Sequence, residues 1–245
     1  MASLINSIRS ITSDQWWFVK LGIFAAILFF VMDNDLNYPN GNPALTPVYI
    51  VIFVIMLGCA SVAMHRNINN KTPLFPNMFN VFEIMNKSIC SAIAILPGSL
   101  ICYSCFYFIQ KNILFEPFVM FVIYLCVLLF FSPFIMIPVV LYSVNGSLFD
   151  AFNIKNIYEG SGNFVVQFLS YILQFIFFIC LVTYCIYFFL LQMLGDHVGL
   201  LILKTIVIVI SFFSLFIFCS DLYEDVIPEL KKKKKQKPKL KRKIP

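Results

Sequence analysis

Six apolar stretches alternate with short polar or proline-bearing segments along this chain, at residues 16–32, 44–64, 88–109, 117–144, 164–194 and 198–220. A helix rises 1.5 Å per residue and needs about 20 apolar residues to cross about 30 Å of hydrocarbon, so the pattern predicts six transmembrane helices. The first stretch is the shortest. It opens on Trp16-Trp17, with Lys20 one turn inside and expected to snorkel to the headgroups. A cleaved signal peptide competes for it, but the region after Met32 lacks a small-residue cleavage site and only Arg9 is basic before it. Pro39, Gly41, Pro43 and Pro47 break the chain ahead of the second span. Pro97-Gly98 predicts a kink in the third, and Pro133 and Pro138 predict that the fourth bends or ends early. Freed carbonyls survive in a membrane only against protein or water, so these last two prolines are expected to face neighbouring helices. The fifth stretch exceeds a bilayer's thickness and should tilt or project.

Between the spans, the periodicity of apolar positions changes to that of amphipathic helices lying in the membrane surface. In PNMFNVFEIMNK, Met78, Phe79, Phe82 and Met85 share one face and Asn80, Glu83 and Lys87 another. GSLFDAFNIKNIYEG presents Phe149, Phe152 and Tyr158 and ends at Gly160; residues 1–15 place Leu4, Ile5, Ile8 and Ile11 opposite Asn6, Arg9 and Ser10. Phe79-Asn80-Val81 with Ile84 aligns with Phe152-Asn153-Ile154 with Ile157, and Ile5-Asn6 aligns with Phe79-Asn80. Each segment precedes a pair of spans. Two explanations stand: three copies of a surface helix plus transmembrane hairpin about an axis along the membrane normal, or similarity by chance among amphipathic stretches.

Charge supplies an orientation. Residues 1–220 carry eight Lys or Arg and eight Asp or Glu, whereas ten basic residues fall between Lys231 and Lys243, after a collar of Asp221, Glu224, Asp225 and Glu229. Of the connecting segments, 33–47 and 195–197 have no Lys or Arg and 110–116 has only Lys111; the alternate segments hold Arg9, then Arg66, Lys71 and Lys87, then Lys155, then the basic cluster. The positive-inside rule therefore expects a multi-pass protein of the cytoplasmic membrane with both termini cytoplasmic. The tail of residues 221–245 admits a disordered topology anchor, or contact of Lys231, Lys232, Lys233, Lys234, Lys235, Lys237, Lys239, Lys241, Arg242 and Lys243 with anionic lipid headgroups, at about 1 kcal/mol per basic residue near the surface. The same cluster could bind RNA or a ribosome through phosphates, but no aromatic residues interleave it and nucleic acid is not expected as a partner.

Composition agrees with a lipid solvent: 60% of the 245 residues are hydrophobic and 12% charged, against about 25% charged in soluble proteins. The 29 Phe have AT-rich codons, so low-GC coding accounts for them without an aromatic ligand cage. All eight Cys lie inside proposed spans, so no disulfide framework is expected; Cys102 and Cys105, at C-x-x-C spacing without a companion pair, read as buried thiols rather than a metal or redox site. Lys204 is the intramembrane polar candidate. An ammonium at a helix centre costs about 2.5–3.5 kcal/mol on insertion scales, but this one lies about 9 Å from the helix end and its stem can reach the surface. The alternative pairs it with Asp196, Glu116 or an acid of the first outer loop, lining a polar cavity. Asp196-His197 reads as a solvated turn and His65 as an interfacial residue beside Arg66. No nucleophile elbow, zinc helix motif, phosphate loop or intramembrane carboxylate pair occurs, so neither catalysis nor a cofactor is expected.

IMIPVVLYSVNGSLFDAFNIKNIYEGSGNFV, with Pro138, Tyr142, Gly146, Ser147, Ala151, Phe152 and Ile157, resembles a bacterial and archaeal membrane family known as domain of unknown function 4013. RNINNKTPLFPNMFNVFEIMNKSICSAIAILPGSL is similar to that family's other recurring piece, a proline-bearing loop, a surface helix and a span with an internal proline. The resemblance covers roughly residues 60 to 195. The chain departs from the family pattern in having only Lys155 around the second surface helix. The resemblance implies a polytopic membrane protein and no activity. The sequence thus leads to an all-α protein of about six spans over 16–220 with cytoplasmic surface helices. Its expected role is a non-enzymatic, envelope-organising or accessory membrane subunit with as yet unnamed protein partners. A small-molecule or lipid transporter, with a pathway past Pro97, Pro133, Pro138 and Lys204, and an insertase-like protein with a ribosome-binding tail are the alternatives.

Overall fold

The structure, a computed structural model, describes residues 3–14, 17–36, 43–69, 71, 73–76, 80–112, 116–194 and 196–226. Eight α-helices occur among them: α1 (Leu4–Thr12), α2 (Trp17–Leu36), α3 (Thr46–Ile68), α4 (Val81–Asn112), α5 (Pro117–Asn145), α6 (Leu148–Ala151), α7 (Ile154–Leu194) and α8 (Asp196–Val226), with one 3-10 turn, Pro43–Leu45, before α3. No strand occurs among the described residues. Helices α2, α3, α4, α5, α7 and α8 are each long and apolar enough to cross a membrane. Large apolar side chains point outward on these helices, among them Phe30, Phe108, Phe130 and Phe177 at 65–72% exposure, which is ordinary against hydrocarbon and unusual against water.

The spanning helices form two tiers. In α3, α5 and α8, the second helix of each hairpin, 56, 33 and 44% of the apolar window is buried, against 22, 22 and 17% in α2, α4 and α7. The first helix of each hairpin packs on the second helix of the hairpin before it, α4 on α3 and α7 on α5, and the order closes with α2 on α8. α3 touches both α5 and α8. This cyclic order is the one that three copies about a common axis would produce. Symmetry is imperfect, since α4 and α7 pack closely on their hairpin partners α5 and α8 whereas α2 touches α3 only sparingly.

Two of the three aligned segments share a helix start among the described residues. Asn80 and Asn153 each stand immediately before a long helix, and their carbonyls accept the N–H of Ile84 and Ile157, both buried. The Asn153 side chain also accepts the N–H of Asn156, as a helix-capping residue does. Asn6 does not correspond, because it lies inside α1, where Ser3 is the cap and accepts the N–H of Asn6.

Several sequence expectations are corrected. The surface helix expected near 78–87 is not separate, since from Val81 the chain runs as one helix into the span; of the one expected over 149–160 only the start stands apart, in α6, and from Ile154 the chain again runs as one helix into the span, with Gly160 interrupting nothing. Met78 and Phe79 lie outside the described residues. A glycine inside a helix costs only about 1 kcal/mol, which packing of a buried residue overrides. α1 docks through Leu4, Ser7 and Ile11, leaving Ile5 74% exposed, because its contacts are with α7 and α8 rather than with lipid alone. α5 does not end early at its prolines. Pro133 removes the donor for the Leu129 carbonyl, and the Ser132 hydroxyl donates to that carbonyl instead at 2.8 Å. Pro138 frees the Phe134 carbonyl, against which Gly98 of α4 is pressed. Both prolines are buried, as expected, whereas Pro97 is exposed.

Packing is closest at the end of the bundle where α1 begins and α8 ends. Residues 56–64 of α3 are buried on every side, together with Ile137, Val139, Val140 and Leu141 of α5 and Phe213, Phe216, Ile217 and Phe218 of α8. Toward the opposite end α3 loosens from its neighbours, and Val48, Ile50, Val51 and Phe53 are 40–58% exposed.

Candidate functional site

The polar residues with specific partners gather at the closely packed end, around the link between α3 and α4. Leu74, Phe75 and Pro76 of that link are buried, and the Phe75 ring packs edge-on against Phe213, with centroids 5.2 Å apart; Phe213 in turn meets Phe24. Non-helical backbone inside a membrane bundle must have its N–H and C=O groups satisfied by protein. Asp14, whose side chain is fully buried just after α1, accepts the Phe75 N–H at 2.9 Å. The Arg66 guanidinium donates to the Pro73 and Phe75 carbonyls at 3.1 and 3.0 Å. Lys20 completes the clasp, 2.6 Å from the Asp14 carboxylate and 5.8 Å from the Phe75 ring centroid. Glu83 lies 3.6 Å from Arg66 and accepts from Asn80, so the start of α4 joins the same network.

Three further contacts tie neighbouring helices together at this end. The His65 ring nitrogen Nδ1 donates to the Ser143 carbonyl at 2.5 Å, which joins α3 to α5. Asn67 donates to the Ser220 hydroxyl and the Asp221 carboxylate at 2.6 and 2.8 Å, which joins α3 to α8. The Lys87 ammonium sits 4.9 Å from the Tyr142 ring centroid, between α4 and α5. Hydroxyls deeper in the bundle are used mostly for packing: Ser88 donates to the Val54 carbonyl and Tyr171 pairs with Ser214 at 2.7 Å.

Lys20 is therefore an ion-pair partner of Asp14, not the snorkelling residue expected, because Asp14 is held within its reach by the turn after α1. Asp14 was not singled out in the sequence; its six-residue separation from Lys20 matches no helical pairing, and only the fold makes it a binding partner of Phe75. Lys204 is exposed on α8, and among the described residues it has no ion pair with Glu116, itself exposed. The side chains of Asp196 and His197 and the whole of the basic cluster Lys231 to Lys243 lie outside the described residues. Cys102 is a buried free thiol and Cys105 a partly exposed one, and the described residues contain no group of three metal-ligating side chains. Three grooves among the described residues have apolar walls: one of about 530 Å³ between α4 and α5 at Leu100, Cys105 and Phe131, one of about 360 Å³ between α1 and α7 at Ile5, Ile8 and Phe177, and one of about 240 Å³ between α2 and α8 at Gly22 and Ile206.

No family profile, no curated protein and no solved structure matches this chain.

Proposed function

We propose that this chain is a non-enzymatic multi-pass protein of the cytoplasmic membrane that organises the envelope or serves as an accessory subunit, with both termini cytoplasmic and the basic tail against anionic headgroups. The observation that carries this reading is the apolar packing of α3, α5 and α8 on one another, where a transport pathway between repeats would run. A pathway past Pro97, Pro133, Pro138 and Lys204 would require all four to border one cavity. Pro97 and Lys204 are instead exposed and Pro133 and Pro138 buried. The resemblance to domain of unknown function 4013 fits the same reading and adds no activity.

The test is purification in mild detergent of the full chain and of a chain ending at residue 230, with mass spectrometry of whatever co-purifies in stoichiometric amount, alongside binding of both to vesicles with and without anionic lipid. A stoichiometric membrane-protein partner of the full chain supports the accessory role, and recovery of the chain alone from its native membrane argues against it. Equal vesicle affinity of the two forms would remove the tail from lipid contact.

A further inference from the structure

α1 is fastened at both ends. Its first N–H, on Leu4, donates to the Gln174 side chain of α7 at 3.1 Å, and the Asp14 carboxylate just after its last turn pairs with Lys20 of α2. Between these points Ser7 and Ile11 are buried, and the helix packs chiefly on α8. A groove of about 360 Å³ is left between α1 and α7, with Ile5, Ile8, Phe177 and Leu181 among its walls and Gln174 as its one polar side chain. Ile5, Phe177 and Leu181 are each more than half exposed, so the groove opens outward from the bundle. Its depth follows from α7. Tyr171 meets Ser214 and Phe218 of the antiparallel α8, so later residues of α7 run away from Asp221 and the polar end of the bundle. At 1.5 Å per residue, Gln174 to Leu181 lie about 10 to 20 Å from the level of Asp221, the depth of acyl chains in the leaflet on that side.

Arg9 stands one helical turn from Ile5 and next to Ile8, on the outward side of α1, whereas Asn6 and Ser10 lie on the side away from the groove. Arg9 is exposed, and among the described residues its guanidinium has no ion pair or hydrogen bond. Lys20, Arg66 and Lys87, at the same end of the bundle, are engaged by Asp14, Glu83 and the Tyr142 ring. An apolar groove at acyl depth with an unneutralised guanidinium at its headgroup edge is complementary to a lipid with an anionic head. Its volume falls near the lower end of the about 300–1,000 Å³ of small-molecule sites, room for a hydrocarbon chain and not for a helix about 10–12 Å across. We propose that α1 and α7 bind one anionic phospholipid, with an acyl chain seated against Ile5, Ile8, Phe177 and Leu181 and the phosphate accepting from the Arg9 guanidinium. This site is separate from the basic tail and does not depend on an accessory role for the protein.

The test uses the full chain in phosphatidylcholine vesicles with traces of photoreactive phospholipid, a diazirine in the acyl chain and either a phosphatidylglycerol or a phosphatidylcholine head, and maps the labelled residues by mass spectrometry. The anionic probe is expected to label residues 4–8 and 174–181 about fivefold more than its zwitterionic twin, the enrichment due to one basic residue at an anionic surface. Arg9→Gln should bring the two probes level without moving the unfolding midpoint, and Arg9→Lys should keep most of the preference. Ile8→Trp, which fills the groove, should reduce labelling by both. Every variant retains the basic tail, so the tail cannot produce a difference between them. Equal labelling by the two probes on the unaltered chain, or a preference that survives Arg9→Gln, overturns the proposal. Absence of labelling in the groove, the result if a second copy or another protein covers it, overturns it as well. The comparison of heads on the unaltered chain and the Ile8→Trp arm decide the matter even where Arg9→Gln does not fold.

Discussion

Gly98 of α4 is pressed so closely on the main-chain oxygen of Phe134 in α5 that a Cβ added at position 98 would stand 2.5 Å from it. That oxygen is the acceptor left over by Pro138 four residues on, so a proline in one helix and a glycine in the next answer each other. Close approach lets the glycine Cα–H face the freed carbonyl, a weak but real hydrogen bond in an environment without water.

Gly98→Ala is therefore expected to destabilise the protein by about 1–3 kcal/mol through overpacking. Gly162→Ala is the control: nothing lies within 4 Å of its added Cβ, and removing a helical glycine is expected to stabilise by about 0.5–1 kcal/mol. Thermal unfolding of both variants in one detergent checks the pair, and equal behaviour would contradict the packing difference.

Asp14→Ala strands the Lys20 ammonium and the Phe75 N–H together. Removing one partner of a buried ion pair costs about 3–5 kcal/mol, so a large loss of stability is expected, with new protease sensitivity in the link between α3 and α4. Lys20→Met combined with Asp14→Asn, which keeps an acceptor for Phe75, should cost less than Asp14→Ala alone. A double variant as damaged as the single one would show that the ion pair is not what holds the link.

Tyr171→Phe removes the hydroxyl that pairs with Ser214 but keeps the ring between Phe168 and Phe175 and its 4.3 Å centroid contact with Phe218. A loss of about 0.5–1.5 kcal/mol is expected, and Tyr171→Ala should lose several times more, since it also leaves a cavity. Comparable losses for both would put the hydrogen bond, not the ring, at the centre of the α7/α8 contact.

Lys204→Leu is expected to leave membrane insertion and thermal stability unchanged or slightly improved, because the side chain is exposed on α8. Glycosylation mapping and unfolding measurements read the two effects. Failure of the variant to insert or a clear fall in stability would restore the polar-cavity reading.

The proposed topology of six spans puts the end of α8 and the start of α1 on one side of the membrane. Protease added to sealed vesicles should remove the tail when that side faces outward and spare it when the vesicles are inverted; the positive-inside rule expects the accessible case in inside-out vesicles. Digestion in the opposite orientation would reverse the proposed topology.

Class and span number were legible in the chain alone, because the length of an apolar run is a local property and a bilayer imposes its thickness on each run separately. The correspondence of Asn80 with Asn153 was legible too, since a helix start is written within a few residues. Only the tertiary structure decided that Val81 and Ile154 begin continuous spans, that Lys20 answers Asp14 rather than a headgroup, and that Phe75 enters the bundle. The last of these depends on partners far along the chain, Phe213 for the Phe75 ring and Asp14 for its N–H, and periodicity carries no information about which distant side chain will satisfy a buried donor.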